Sequence, residues 1–293
     1  VKVLGVDIGG TKIRMGVIDE KGNILYDERV PTELPLYPYL EEQVLRMLRQ
    51  HPGIEAVGIG THGFVDPVGG RIIYATETLP GWTGTPVKEK LESATGLRVE
   101  VENDAACAAL VEAKLGAAKG RDRIAVLTLG TGLGGGIIWD GKILSGGPHG
   151  GAAEIGHMIL YPGGALCTCG RRGCFEQYVS GTGLRRRIAE AGLDMTPDEL
   201  FRRSEADPEA RKLVEAFTYD LAVVISTLQA AFDMETAVIG GGVSDSAEYW
   251  WDSLLSKLDP LLLHPLEVKK AQFGNDAGIL GAALLTAEER NAS

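Results

Sequence analysis

His157, Cys167, Cys169 and Cys174 fall within one short stretch of the chain. One imidazole and three thiolates make a Cys₃His donor set, the chemistry of a closed tetrahedral site for structural Zn²⁺. Cys167 and Cys169 lie too near in sequence for an easy disulfide, and Gly170 and Gly173 let the loop fold around an ion. Free thiols on a loop are the plainer alternative. Glu154 stands three residues before His157, and Glu176 two after Cys174. A metal that fixed this loop would fix both carboxylates, which suits them to accept hydrogen bonds from the hydroxyls of a ligand rather than to serve as solvated surface groups. A ligating His157 would keep its second ring nitrogen for a further hydrogen bond. Cys107, on an alanine-rich stretch, reads as a small core residue.

Three glycine clusters follow apolar runs. Asp7-Ile8-Gly9-Gly10-Thr11-Lys12 closes the first run, Gly130-Thr131-Gly132 the second, and Gly240-Gly241-Gly242 a third. Glycines at a strand end let backbone N–H groups approach a phosphate. Thr11 adds a hydroxyl and Lys12 a point charge, and Asp7 is placed to orient Mg²⁺ through its water shell. Neither of the first two turns is a P-loop or a dinucleotide fingerprint, since a strand and not a helix follows Gly132. Each alone reads as a tight hairpin. Together with the third cluster they favour a nucleotide. Asn103-Asp104 sits between a strand and a helix, where either residue is a good N-cap. Phosphoryl transfer to a hydroxyl also needs a positioned carboxylate, and Asp104 suits that role while Asn103 caps.

The elements that must position these groups are legible from periodicity. Val3–Val6, Arg14–Ile18 and Ile24–Tyr26 read as a β-meander around the first turn. Leu40, Val44 and Leu48 mark an amphipathic helix over Tyr39–Gln50. Strands follow at Ala56–Gly60 and Arg98–Val101, with a helix between them from Pro86 to Gly96. Gly136–Leu144 echoes Gly16–Leu25 with one gap, which suggests an internal duplication and two related α/β domains. In such sheets ligands sit off the carboxyl ends of the strands. Thr196-Pro197-Asp198-Glu199 is a capping box, and Asp207-Pro208 opens a long helix whose stripe of Phe217, Leu221, Val224 and Leu228 belongs to a core.

Bulk properties narrow the class. At 293 residues the chain has room for two domains. Its formal net charge of −11 argues against a nucleic-acid partner. No apolar run of about 18 residues reads as a membrane span, and the first residues read as a strand and not a leader. The clustered cysteines fit the reducing cytoplasm.

These residues resemble the signatures of the ROK sugar kinases. The resemblance is carried by Asp7-Ile8-Gly9-Gly10-Thr11-Lys12, Glu102-Asn103-Asp104, Gly130-Thr131-Gly132-Leu133-Gly134-Gly135-Gly136, Glu154-Ile155-Gly156-His157, and the run from Cys167 to Glu176, in the family's order. It implies an α/β chain of the actin-like, ribonuclease H-like ATPase fold, with two α/β domains and a cleft between them. The expected division is an N-terminal domain over 1–104, with a C-terminal helix at about 277–293 packing on it, and a larger domain over 105–276 carrying the zinc loop. ATP would be bound by Asp7, Gly9, Gly10, Thr11, Lys12, Gly130, Thr131, Gly132 and, near adenosine, Gly240, Gly241 and Gly242. The sugar would meet Asn103, Asp104, Glu154, His157 and Glu176, with Gly63 and Thr78 beside it and Asp104 as base. Zinc would be held by His157, Cys167, Cys169 and Cys174. Homodimers are common in the family, so one is expected.

Two departures bear on the sugar. Glucokinases of this family often read Gly-x-Pro-Gly where this chain has Gly60-Thr61-His62-Gly63, and often Asn where it has Thr78. The expected reaction is ATP-dependent phosphorylation of glucose to glucose 6-phosphate. N-acetylmannosamine or another N-acetylhexosamine or hexose is the alternative acceptor. A sugar-binding or regulatory protein without catalysis is the reading from another class.

Overall fold

The structure, a computed structural model, describes residues 1–287. Contacts divide the chain into two compact units, the first comprising Val1–Gly116, Lys142–Ala153 and the stretch from Asn275, and the second Ala117–Gly141 with Glu154–Gly274.

The first unit is built on β1 (Lys2–Ile8), β2 (Lys12–Asp19), β3 (Ile24–Pro31), β4 (Ile54–Thr61) and β7 (Arg98–Asn103), in the spatial order β3-β2-β1-β4-β7. β1, β2 and β3 form the antiparallel meander, while β4 and β7 run parallel to β1. Interior strand β4 is buried along nearly all its length, as a near-continuous apolar run requires, whereas edge strand β3 carries Asp27, Glu28 and Arg29 along a largely exposed rim. A short hairpin of β5 (Phe64–Val65) and β6 (Ile72–Tyr74) follows β4. Helix α1 (Leu36–Gln50) starts three residues earlier than its stripe predicts and buries Leu36, Leu40, Val44 and Met47. Helix α2 (Val87–Thr95) stops at Gly96, which caps it in the left-handed region.

Helix α3 (Asp104–Lys114) and the C-terminal α9 (Ala277–Leu285) close the other face. Here the glycines allow backbone to lie on backbone: a Cβ on Gly58 of β4 would stand 1.7 Å from the carbonyl oxygen of Ala282. That close approach is why a helix as apolar as α9 can seat on the sheet with Ile279, Ala282 and Leu285 buried. Helix α9 ends at Leu285 with Thr286 as its C-cap, and the part of the expected C-terminal helix over 288–293 lies outside the described residues.

The second sheet repeats the arrangement. Its order is β10-β9-β8-β11-β12, from β8 (Ile124–Leu129), β9 (Leu133–Trp139), β10 (Lys142–Ile143), β11 (Thr236–Gly240) and β12 (Glu267–Lys270). β8 and β9 are antiparallel, and β11 and β12 run parallel to β8 and β11. The second unit also holds α4 (Glu176–Val179), α5 (Gly181–Glu190), α6 (Pro197–Arg203), α7 (Pro208–Phe232) and α8 (Trp251–Leu258). The Thr196 capping box forms, and Asp207 caps α7 through the N–H groups of Glu209 and Ala210. By length and composition α7 resembles a membrane span, yet Phe217, Leu221, Val224 and Leu228 are fully buried, the mark of a core helix.

Candidate functional site

In the first unit predicted site residues follow the carboxyl ends of the parallel strands, and in the second the Gly130–Gly132 and Gly240–Gly242 turns do the same. In the first unit, β1 runs into Gly9-Gly10, β4 into His62-Gly63 and β7 into Asp104. The β1–β2 turn is a tight hairpin, closed by the Gly9 N–H on the Lys12 carbonyl at 3.0 Å. Thr32 braces it, its N–H reaching the Thr11 carbonyl and its hydroxyl the Gly9 carbonyl at 2.8 Å. Gly10, Thr11 and Lys12 are exposed at the tip. The hairpin and the phosphate cradle are therefore compatible readings of one turn.

Asn103 caps α3 as anticipated, its Oδ1 accepting from Ala105 and Ala106 at 2.9 and 3.2 Å. Its Nδ2 donates to the Gly63 carbonyl at 3.0 Å, which ties the end of β7 to the loop after β4. Asp104, the first residue of α3, accepts the Ala105 N–H at 2.8 Å. It is partly exposed, but protein atoms surround its carboxyl: burial pushes the group up and the His62 imidazole draws it back. Asp7 is raised to about 6, first by burial and then by the like charge of Asp104, against the pull of Arg14 and Lys12. Two neighbouring carboxyl groups so placed favour a cation or a shared proton. Thr78 lies against the first turn, since a Cβ on Gly10 would come within 3.6 Å of it.

In the second unit the four sulfur and nitrogen donors converge. The ligand atoms of His157, Cys167, Cys169 and Cys174 lie within 4.8 Å of one another. Cys167 Sγ is 3.6 Å from His157 Nδ1, and Cys169 Sγ is 3.6 Å from Cys174 Sγ. Tetrahedral zinc with bonds of about 2.3 Å to sulfur and 2.0 Å to nitrogen needs edges of roughly 3.5–3.8 Å, which these two separations match. The loop is folded by its own backbone: Cys167 N–H bonds to the Arg171 carbonyl at 2.8 Å, and Gly170 and Gly173 adopt positive φ. Burial raises the Cys174 thiol. At Cys169 burial also pushes upward but is outweighed by hydrogen bonds, first those from Arg171, and the thiol is drawn down. A partly ionised thiol in a four-donor cage suits a metal.

Glu176 joins this loop to the second glycine turn. One carboxylate oxygen lies 3.8 Å from Cys167 Sγ, and the other accepts the Leu133 N–H at 3.1 Å. A Cβ on Gly132 would stand 2.4 Å from that same carboxylate, so a larger residue there would displace the Glu176 side chain. The turn is also held by the start of α5, where Gly181 and Thr182 donate to the carbonyls of Gly130 and Thr131. The third cluster packs beside it: Gly241, at φ 86°, leaves only 2.5 Å between a notional Cβ and the Leu129 carbonyl oxygen. Glu154 precedes the helical turn Ile155–His157, its carbonyl accepting the His157 N–H.

The structure thus collects Asp7, the first glycine turn, Gly63, Thr78, Asn103 and Asp104 in one unit. It collects Gly130–Gly132, Gly240–Gly242, Glu154, Glu176 and the four donors in the other. Sequence reasoning did not single out Ser180–Gly183, whose cap and glycines were the available signal, or Thr76, which had none.

The ROK family model matches residues 3–289. The chain is 38% identical to a glucokinase of Streptomyces coelicolor, with 97% of each chain covered. It is 34% identical to an N-acetyl-D-glucosamine kinase of Aliivibrio salmonicida, over 96% of this chain and 98% of that one. Among solved structures it resembles a ROK family glucokinase from Streptomyces griseus in complex with glucose and AMPPNP, with a TM-score of 0.78, 35% identity, and 97% and 99% of the two chains covered.

Proposed function

The chain belongs to the ROK family of sugar kinases, with their actin-like ATPase fold, and we propose that it transfers the γ-phosphoryl group of ATP to O6 of glucose. Near-full-length similarity to glucokinases supports the reaction, and the bound glucose and AMPPNP of the Streptomyces griseus relative support both substrates. The observation that carries the mechanism is the carboxyl pair at the ends of β1 and β7. Asp104, with one oxygen held by the Ala105 N–H, keeps the other for the sugar proton. As the O–H bond breaks, that proton passes to Asp104, the sugar oxygen bonds to phosphorus, and ADP leaves. Asp7 would orient the water shell of a Mg²⁺ ion bound with the nucleotide, an ion that would supply positive charge beside the phosphates. Exposed N–H groups of the two glycine turns stabilise charge on the phosphates.

His157, Cys167, Cys169 and Cys174 would hold zinc as a structural ion, whose role is to keep the loop and Glu176 in place. Glu154, Glu176 and the free ring nitrogen of His157 are sugar contacts in this reading, as are Asn103, Gly63 and Thr78. The four free cysteines fit a reducing cytoplasm, and the family resemblance supports a homodimer.

N-acetylglucosamine is the second reading, favoured by the similarity to kinases of that sugar. Coupled ADP release across glucose, N-acetylglucosamine, N-acetylmannosamine and mannose separates them. Glucose should have the highest kcat/KM, and a preference for an N-acetylated sugar would replace it as substrate. Asp104→Asn should lower kcat by about 10³-fold or more while zinc content and melting temperature hold. Wild-type turnover in that variant would remove Asp104 from the reaction.

A further inference from the structure

β4 and β7 pair in parallel, with Thr61 opposite Asn103. The residues that directly follow these two strands are His62 and Asp104, so both leave neighbouring strand ends, a spacing of about 4.8 Å between strands. His62 is exposed but not loose. Its Nε2 lies 3.2 Å from Thr76 Oγ1, which is 2.6 Å from Thr78 Oγ1. Thr78 in turn lies against Gly10, so this polar row runs from the first glycine turn towards Asp104. The residues on both sides of His62 are anchored. Trp82 Nε1 donates to Thr61 Oγ1 at 3.0 Å in the core, and the Gly63 carbonyl takes the Asn103 amide at 3.0 Å.

The charges around Asp104 come from three elements. Asp7 on β1 is a like charge, Lys12 and Arg14 on β2 act on Asp7, and His62 after β4 acts on Asp104. Arg14 is engaged with Asp27 and Asp276, and the charged side chain that acts on Asp104 is His62, which draws it down. We propose that His62, held by Thr76 and Thr78, is a positioning residue for the transfer, setting beside Asp104 the positive charge that keeps this carboxylate ready to take the sugar proton. The inference rests on Asp104 being the base. It assigns His62 no contact with the reacting atoms.

His62→Gln keeps a hydrogen bond to Thr76 without the charge, and His62→Lys restores a charge. The pH profile of kcat/KM for the sugar is measured for wild type and both variants. In parallel the Asp104 carboxyl carbon is titrated by ¹³C NMR in the free proteins, its signal assigned by its loss in Asp104→Asn. In His62→Gln the acid limb of the profile and the carboxyl titration should both move up by about one pH unit. The rate should recover at alkaline pH, and His62→Lys should return both towards wild type. An unmoved Asp104 titration in His62→Gln overturns the proposal, including when activity drops evenly at all pH values. Should wild type phosphorylate no sugar, the kinase reading falls, and the carboxyl titration still decides whether His62 acts on Asp104.

Discussion

A carboxyl group whose pKa stands near 6 when folded, as that of Asp7 does, favours folding in its protonated form. The folded protein binds that proton more tightly than the unfolded chain. The contribution is therefore complete below about pH 4 and is lost as pH rises through about 6. At neutral pH the carboxylate costs up to about 3 kcal/mol, the shift from 3.8 taken at 1.36 kcal/mol per unit. Asp7→Asn should accordingly raise unfolding free energy in urea at about pH 7 and change it little at about pH 4. Equal effects at the two pH values would show that Asp7 carries no such penalty. Under the proposed function the cost has a reason, since a divalent cation carried by the nucleotide would supply the missing charge. The types of Asp7 and Asp104 were legible in the sequence. Their mutual repulsion was not, because it depends on β1, β4 and β7 lying side by side.

Elements turn these residues into working parts. The His/Cys loop is folded by short-range hydrogen bonds, which is why its four candidate donors could be read from spacing alone. Its link to the second glycine turn could not, since Glu176 reaches Leu133 across 43 positions of sequence. That link predicts a coupling. Cys169→Ser should lose zinc, as read by atomic absorption, and should raise KM for ATP as well as for sugar. Zinc-free protein with an unchanged KM for ATP would break the connection between loop and turn. Gly241 offers a second test at this scale, because its φ of 86° and ψ of 166° are open almost only to glycine. Gly241→Ala should destabilise by about 2–4 kcal/mol, combining backbone strain with the clash on Leu129. Gly242→Ala, where nothing lies within 4 Å of a notional Cβ, should fall within about 1 kcal/mol of wild type. Similar losses at both positions in thermal melts would refute the local argument.

At the scale of the whole molecule, one sheet pattern occurs twice: an antiparallel hairpin extended by two parallel strands, with glycine turns at the carboxyl ends. Sugar and nucleotide that bind only the folded protein must stabilise it by mass action. Glucose with Mg-ATP analogue at about 100 times Kd should raise the melting temperature by roughly 5 °C or more, and should do so in Asp104→Asn too. No shift in either protein would oppose ligand binding altogether. The sequence by itself determined what each short segment can offer. Strand ends rich in glycine, an Asn cap followed by an acid, and four metal donors in one loop are properties of local spacing and side-chain chemistry. Tertiary structure decided which of these meet. Strand register set His62 beside Asp104, and packing set Glu176 between Cys167 and Gly132. The reason is physical: local preference acts over a few residues, whereas neighbours across a sheet are chosen by burial and backbone pairing of segments tens of residues apart.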